Sequence, residues 1–243
     1  MDMIDARTRS LAAALLLVLP TVGAAQSDAA ALVEQMRQAI GQVPRTLRVI
    51  AAGSGYLPAR DGGGGSGGRF RIERYTQELD LGVPAERERV VRVDSTAGKP
   101  EEREIGTLDA TPDAPWADRY RLWSSPFGFL LGAQSHATHV TRSTVLGTEY
   151  RVISFTADDG NEVEGYVNDQ NLLERTRTEI DDPALGKVQF EAIYLQWADF
   201  DGVKFPSLVI EKKNEALTRV LVVDRIEPGV DLQPSPQAGE DGH

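Results

Sequence analysis

Residues 150–180 read YRVISFTADDGNEVEGYVNDQNLLERTRTEI, residues 187–213 read KVQFEAIYLQWADFDGVKFPSLVIEKK, and residues 216–228 read ALTRVLVVDRIEP. Short runs rich in β-branched and aromatic residues are broken at Asp158-Asp159-Gly160-Asn161, Asn168-Asp169-Gln170-Asn171, Asp201-Gly202 and Lys213-Asn214-Glu215. Turns this tight join neighbouring antiparallel strands and leave no room for crossover helices, so the stretch reads as a meander. Phe190, Ala192 and Tyr194 share one side of their strand, with Gln189 and Glu191 on the other. In the last run Leu221 and Val223 oppose Val220 and Val222, which predicts a strand covered on both faces.

Outward from the meander, residues 47–52 read as a first strand and residues 69–81 as a long second one. The apolar phase of the second shifts near Arg74, from Phe70 and Ile72 to Tyr75, Leu79 and Leu81, as a β-bulge would make it do. Residues 86–94 and 102–108 are charged and read as solvent-facing strands around the turn Gly98-Lys99-Pro100. Residues 111–137 change character. Pro112, Pro115 and Pro126 punctuate an aromatic segment, Ser124 or Ser125 is placed to cap, and Pro126, Phe127, Leu130, Leu131 and Gln134 continue at helical spacing. Near the N-terminus Leu32, Met36 and Ile40, with Val33 beside them, form an apolar stripe on a helix that Ser27 or Asp28 can cap and Gly41 and Pro44 end. Four strands before the helical segment and seven after it predict a mainly β, α+β fold: one large curved antiparallel sheet, or incomplete barrel, with helices on its concave side.

The chain has 243 residues and a formal net charge of −11, with 37 acidic against 26 basic side chains. A nucleic-acid binder needs a basic footprint, so that class is excluded. There is no cysteine, which removes disulfides, thiolate metal sites and Cys nucleophiles. Arg7 and Arg9 precede an apolar run over residues 11–22, followed by Gly23-Ala24-Ala25-Gln26, the three parts of a secretory signal peptide. The resulting division is a signal peptide at 1–25, one domain at 26–232 and a disordered tail at 233–243. A periplasmic or secreted location follows, with no transmembrane segment after cleavage.

Motifs for chemistry are sparse. Residues 61–68, DGGGGSGG, match G-x-S-x-G and G-x-G-x-x-G by composition, but both need a following helix, and the charged strand sequence Arg69-Phe70-Arg71 follows instead. His136 and His139 are not spaced as H-E-x-x-H and read as a surface pair. Asp158-Asp159-Gly160-Asn161 lacks the ligand ladder of a calcium loop, and Asp181-Asp182-Pro183 reads as a polar turn. No metal ligand, cofactor or catalytic set is expected.

The run from Tyr150 to Pro206, with the upstream segments RFRIERYTQELDL and LWSSPFGFLLGAQ in the same order, resembles the N-terminal domain that precedes the catalytic domain in certain secreted metallo-β-lactamase-fold hydrolases. The pieces GYVNDQNL and FDGVKFP, which include Asp169 and Asn171, are its most specific parts. That domain is similar in architecture to LolA/LolB-type lipoprotein carriers, and the resemblance implies an open antiparallel barrel plugged by helices. The H-x-H-x-D-H zinc motif of those hydrolases is absent, and the chain holds only three histidines, His136, His139 and His243, so their activity is not expected here.

The aromatic residues remain as the functional signal. Trp123, Phe127, Phe129 and Leu130 of the helical segment, with Phe155, Tyr166, Tyr194, Trp197 and Phe205 of the meander, are expected either to line a cavity for an acyl chain or other hydrophobic small molecule, or to form an ordinary core under a plug helix. The leading expectation is a non-enzymatic carrier-like binding protein. The alternatives are an accessory or substrate-binding partner of a separate metallo-β-lactamase-fold hydrolase, and a structural module of the cell envelope. The leader sequence also makes a direct prediction. Protein recovered from a periplasmic extract should have an intact mass that lacks residues up to Ala24 or Ala25, and a form that keeps them would sink the export assignment.

Overall fold

A computed structural model describes residues 22–57, 67–93, 100–107, 116–157 and 160–232. Most of the expected signal peptide, most of the glycine-rich loop and the tail at 233–243 lie outside these residues. The elements in chain order are α1 (Val22–Ile40), β1 (Thr46–Leu57), β2 (Gly67–Asp80), β3 (Ala85–Val93), β4 (Pro100–Thr107), α2 (Trp116–Ser124), α3 (Pro126–Ser135), β5 (Thr138–Val145), β6 (Thr148–Thr156), β7 (Glu162–Val167), β8 (Leu173–Asp182), β9 (Gly186–Phe200), β10 (Val203–Lys213) and β11 (Ala216–Pro228). The four strands before the helical segment and seven after it are the count the sequence predicts; the segment itself holds two short helices, α2 in addition to the expected one from Pro126. Helix α1 starts earlier than its expected cap. Ala24 and Ala25 are strong helix formers with nothing to stop them, so the expected cleavage point falls inside the first turn.

All eleven strands form one antiparallel sheet in the order β4-β3-β2-β1-β11-β10-β9-β8-β7-β6-β5. The first strand pairs with the last, Val49 opposite Ile226 and Gly53 opposite Leu221. Consequently β4 and β5, consecutive in sequence, become the two outer edges of the sheet. The chain has to travel from one edge to the other, and α2 and α3 make that crossing over one face. The expected irregularity near Arg74 is present as a register shift between Ile72 and Arg74.

The covered face carries the core: Leu47, Val49, Leu79, Val163, Val188, Phe190, Tyr194, Phe205, Leu221 and Val223 from the strands, with Met36, Ile40, Leu122, Phe127, Phe129 and Leu130 from the helices. Two expectations are corrected here. β11 is covered on one face only, since Leu221 and Val223 are buried while Val222 is 58% exposed; no described layer lies on the outer face, and valine there reflects strand propensity rather than burial. β3 is not solvent-facing, since Glu86, Arg87 and Glu88 are all buried. The outer face at this place is closed by a cross-strand ladder. The Arg87 guanidinium donates to Glu78 Oε2 from Nε at 2.8 Å, Arg48 Nε donates to Glu78 Oε1 at 2.9 Å, and Arg48 Nη1 donates to Glu227 at 3.1 Å. One row of charges so ties β3, β2, β1 and β11.

Helix α3 starts where the sequence places it. Ser125 caps it, its Oγ accepting from Gly128 N at 3.1 Å, with Pro126 in the first turn. It docks through two glycine sockets. A Cβ on Gly132 would lie 2.3 Å from the Phe155 ring, and one on Gly165 of β7 would lie 2.2 Å from the Phe129 ring. Only a hydrogen at these positions lets helix and sheet meet. Gly165→Ala should therefore cost about 1–3 kcal/mol of stability through overpacking, read as a lowered denaturant midpoint. Val163→Ala, which removes bulk from the same strand, should also destabilise, but Phe129→Leu should rescue Gly165→Ala alone.

Candidate functional site

The interior of the covered face is not uniformly apolar. Arg121 points from α2 toward the sheet, and its Nη1 donates to Glu88 Oε1 at 3.3 Å and to Glu211 Oε2 at 2.9 Å. Glu88 is on β3 and Glu211 on β10, four strand spacings apart, which is about 19 Å on a flat sheet. Both reach one nitrogen because the sheet curls into an open half-barrel around α2. Arg219 of β11 lies between them, with Nη1 3.2 Å from Glu88 Oε1 and Nε 3.5 Å from Glu211 Oε2. The Tyr75 hydroxyl donates to Glu88 as well. The Arg121 guanidinium sits over the Tyr120 ring at 5.0 Å and the Phe190 ring at 5.5 Å, so its faces are as occupied as its edge.

Two cations face two anions in this cluster, and a third carboxyl, Glu86, lies next to it. Gln77 Nε2 donates to Glu86 at 2.7 Å. Burial and the adjacent Glu88 charge push the Glu86 carboxyl up to about 8, and the Gln77 hydrogen bond and Arg121 offset only part of this. Burial acts on Glu88 in the same direction, but the Arg121 and Arg219 guanidiniums outweigh it and hold that carboxyl below its usual range. Two buried carboxyls of one strand are thereby pushed apart, one kept neutral and one kept charged.

Beside the cluster lies a cavity of about 30 Å³. Tyr75, Gln77, Glu88, Arg121, Glu211 and Ser124 form its polar wall, and Val49, Phe190, Tyr194, Phe205, Leu221 and Pro126 are among its apolar lining. The α2–α3 corner forms one end. The carbonyl of Ser124 accepts from Thr176 Oγ1 at 3.0 Å and from the Tyr194 hydroxyl. The Ser124 hydroxyl, on a residue 2% exposed, is buried with no hydrogen-bond partner among the described residues. A second and larger space, about 320 Å³, opens between the end of α1 and the outer side of α3. Arg37, Gln42 and Gln134 supply its polar lining, and Val43, Leu81, Phe127, Leu130 and Leu131 its apolar one.

The nine aromatic and aliphatic residues singled out from sequence do not form one site. Trp123, Phe129 and Phe155 pack together, Phe129 5.4 Å and Trp123 6.2 Å from Phe155 between ring centroids, and line neither space. Phe127 and Leu130 line the outer cleft, while Tyr194 and Phe205 line the inner cavity. Phe127 and Phe205 stand 5.7 Å apart between ring centroids, one aromatic layer between the two spaces. Tyr166 is on the other face of the sheet, where Arg175 and Arg177 lie over its ring at 5.8 and 5.1 Å. Trp197 is half-buried, its indole N–H donating to the Leu173 carbonyl at 3.1 Å. The large space therefore lies between α3 and α1, not between the helical segment and the meander.

Other sequence readings find their places. Asp182 Oδ1 accepts from Ala184 N and Leu185 N, a polar turn. Asn168 Oδ1 accepts from Gln170 N and Leu172 N, and Asn171 has φ +61°, so this segment forms a turn; Asp169 is exposed within it. His136 is not a surface residue paired with His139: it stacks on Phe155 at 5.3 Å, while His139 is exposed on β5. Asp158 and Asp159 lie outside the described residues. Among the described residues no group of three or more potential ligands could hold a metal ion, and no helix is long and apolar enough to cross a membrane. The charged cluster was missed in sequence, although strand parity carried a signal. Glu211 shares the side of Val209, and Arg219 that of Leu221 and Val223.

No known family model matches the chain, and no curated protein matches it by sequence. Among solved structures it is similar to a LolA superfamily protein from Nitrosomonas europaea, at 12% identity and a TM-score of 0.47, over 84% of this chain and 94% of that one. It is also similar to a DUF1329 family protein from Desulfovibrio piger, at 11% identity and a TM-score of 0.44, over 86% and 95%. These likenesses accompany the fold; the strand order and the helix crossing stand on this chain's own geometry.

The Glu86 carboxyl gives the site a testable electrostatic signature. A carboxyl raised from 4.5 to about 8 in the folded state binds more proton there than when unfolded. Its contribution is full below pH 4.5 and is lost as pH rises through about 8. The melting temperature should fall across this window. Glu86→Gln should flatten the fall, matching the parent's stability near pH 5 and exceeding it near pH 9, in unfolding free energy, by on the order of a few kcal/mol.

Proposed function

We propose that this chain is a non-enzymatic, carrier-type binding protein of the periplasm or extracellular space that holds an apolar ligand, an acyl chain or a molecule like one. The observation that carries this reading is the cleft of about 320 Å³ between α1 and α3, floored by Leu81, Phe127, Leu130 and Leu131. Its volume is at the lower end of the roughly 300–1,000 Å³ of small-molecule pockets. Each methylene buried there gains about 0.8 kcal/mol. Polar groups at Arg37, Gln42 and Gln134 border it. The leader-like N-terminus supports the location.

The sequence resemblance supports a second reading, an accessory domain of a separate metallo-β-lactamase-fold hydrolase. Its most specific pieces are the β7–β8 and β9–β10 turns, which an up-and-down meander brings to the same end of the sheet. Co-purification of such a hydrolase would favour this reading.

The carrier reading is tested with N-phenyl-1-naphthylamine, whose fluorescence rises in apolar surroundings. The wild-type protein should bind it saturably. Leu131→Asp places a charge in the cleft at a half-buried position and should weaken binding tenfold or more with little change in melting temperature. Absence of saturable binding by the wild-type protein overturns the carrier reading.

A further inference from the structure

The inner cavity has features that the outer cleft does not explain. About 30 Å³ exceeds the roughly 10–15 Å³ that one water needs. It borders a buried serine hydroxyl without a hydrogen-bond partner among the described residues. A buried hydroxyl left unsatisfied is destabilising, and alanine, of the same shape but for that oxygen, would remove the cost. The Ser124 hydroxyl therefore calls for a partner from outside the described residues, a water or a ligand. Phe205 lines this cavity and Phe127 the outer cleft, and their ring centroids are 5.7 Å apart.

We infer that the inner cavity is the head-group site of the same ligand: an apolar chain lies in the α1–α3 cleft and its terminal uncharged oxygen, an alcohol or ester, hydrogen-bonds to Ser124. This rests on the carrier reading and adds a preference to it. The preference follows from charge. Arg121 and Arg219 are already matched by Glu88 and Glu211, at 2.9–3.5 Å. An entering carboxylate would be a third anion against two cations, with Glu86 behind Gln77 as a further carboxyl. A neutral oxygen brings no such imbalance and needs only one donor or acceptor, which Ser124 supplies. For the oxygen to reach Ser124 the Phe127 ring must swing aside. Its own contacts are apolar, so a ligand chain replaces them in kind.

The experiment is displacement of bound N-phenyl-1-naphthylamine at pH 7.5 by 1-dodecanol and by dodecanoate, in wild-type protein and in Ser124→Ala. Wild-type protein should prefer dodecanol by tenfold or more. Ser124→Ala should melt at a higher temperature than wild type, bind the naphthylamine unchanged, and lose dodecanol affinity by about tenfold, which is about 1.4 kcal/mol and within the range of one hydrogen bond. Ser124→Thr, which keeps the hydroxyl, should retain more of the dodecanol affinity than alanine does. If the naphthylamine binds but dodecanol and dodecanoate compete equally, or Ser124→Ala leaves dodecanol untouched, the cavity is a buried-water site only and the inference fails while the carrier reading stands. If the naphthylamine does not bind at all, both fall.

Discussion

One nitrogen of Arg121 contacts carboxylates from strands that a flat sheet would hold about 19 Å apart. Much else in this molecule follows from that contact. The sheet has to curl for Glu88 and Glu211 to meet there, and the curl creates an interior for α2 to occupy. A guanidinium can serve in this place because it offers several donors in a plane and keeps its charge when buried. Lysine could reach both carboxylates from its one nitrogen, but it has no planar face to lie over Tyr120 and Phe190. Burying such a cluster stabilises little by itself, since desolvation offsets the attraction. Its expected effect is on specificity, because moving α2 elsewhere leaves two buried carboxylates to Arg219 alone and strands the Arg121 charge.

The helical layer has a topological cause as well. With β1 and β11 paired in the middle, β4 and β5 are driven to opposite edges, and the residues between them must cross the barrel mouth. This stretch is accordingly rich in aromatic residues and punctuated by proline, two properties that make it legible in sequence. The crossing leaves two spaces of different character on either side of α3. The outer one is large and lined by both apolar and polar groups. The inner one is small and has a polar wall, and the aromatic pair Phe127 and Phe205 stands between them.

Local signals were readable, and signals spread over several strands were not. Ser125-Pro126 announces a helix start because capping is decided within four residues. The turns at Asn168 and Asp182 announce themselves because their side chains bond their own backbone. The bulge near Arg74 shows as a phase shift in apolar residues. By contrast, the run Glu86-Arg87-Glu88 looks like an exposed strand, because the elements that bury it, α2, β10 and β11, are distant in sequence and its β2 partners do not by themselves reveal the burial. Val222 looks buried because a strand's liking for valine and a core's liking for it are the same in composition. Tyr166 and Tyr194 are both buried aromatics of the meander, yet opposite parity sends one against arginines and the other against the Ser124 carbonyl. Which aromatics share a space depends on how far the sheet curls, and no single strand contains that information.

The pairing of β1 with β11 also sets an order of events. Strands β1 to β4 can associate as soon as they exist, through short connections, and β5 to β11 can do the same. The seam between the two groups joins residues such as Arg48 and Glu227, which are 179 positions apart, so it closes against the largest loop entropy in the molecule. Until it closes, β1 and β11 each present a bare edge, and β11 is rich in valine and leucine. The Arg48–Glu227 contact and the Glu88–Arg219 contact lie on opposite faces of that seam and become available only at this last step. This topology predicts that folding ends in the docking of two half-sheets, with the interval before docking the vulnerable one.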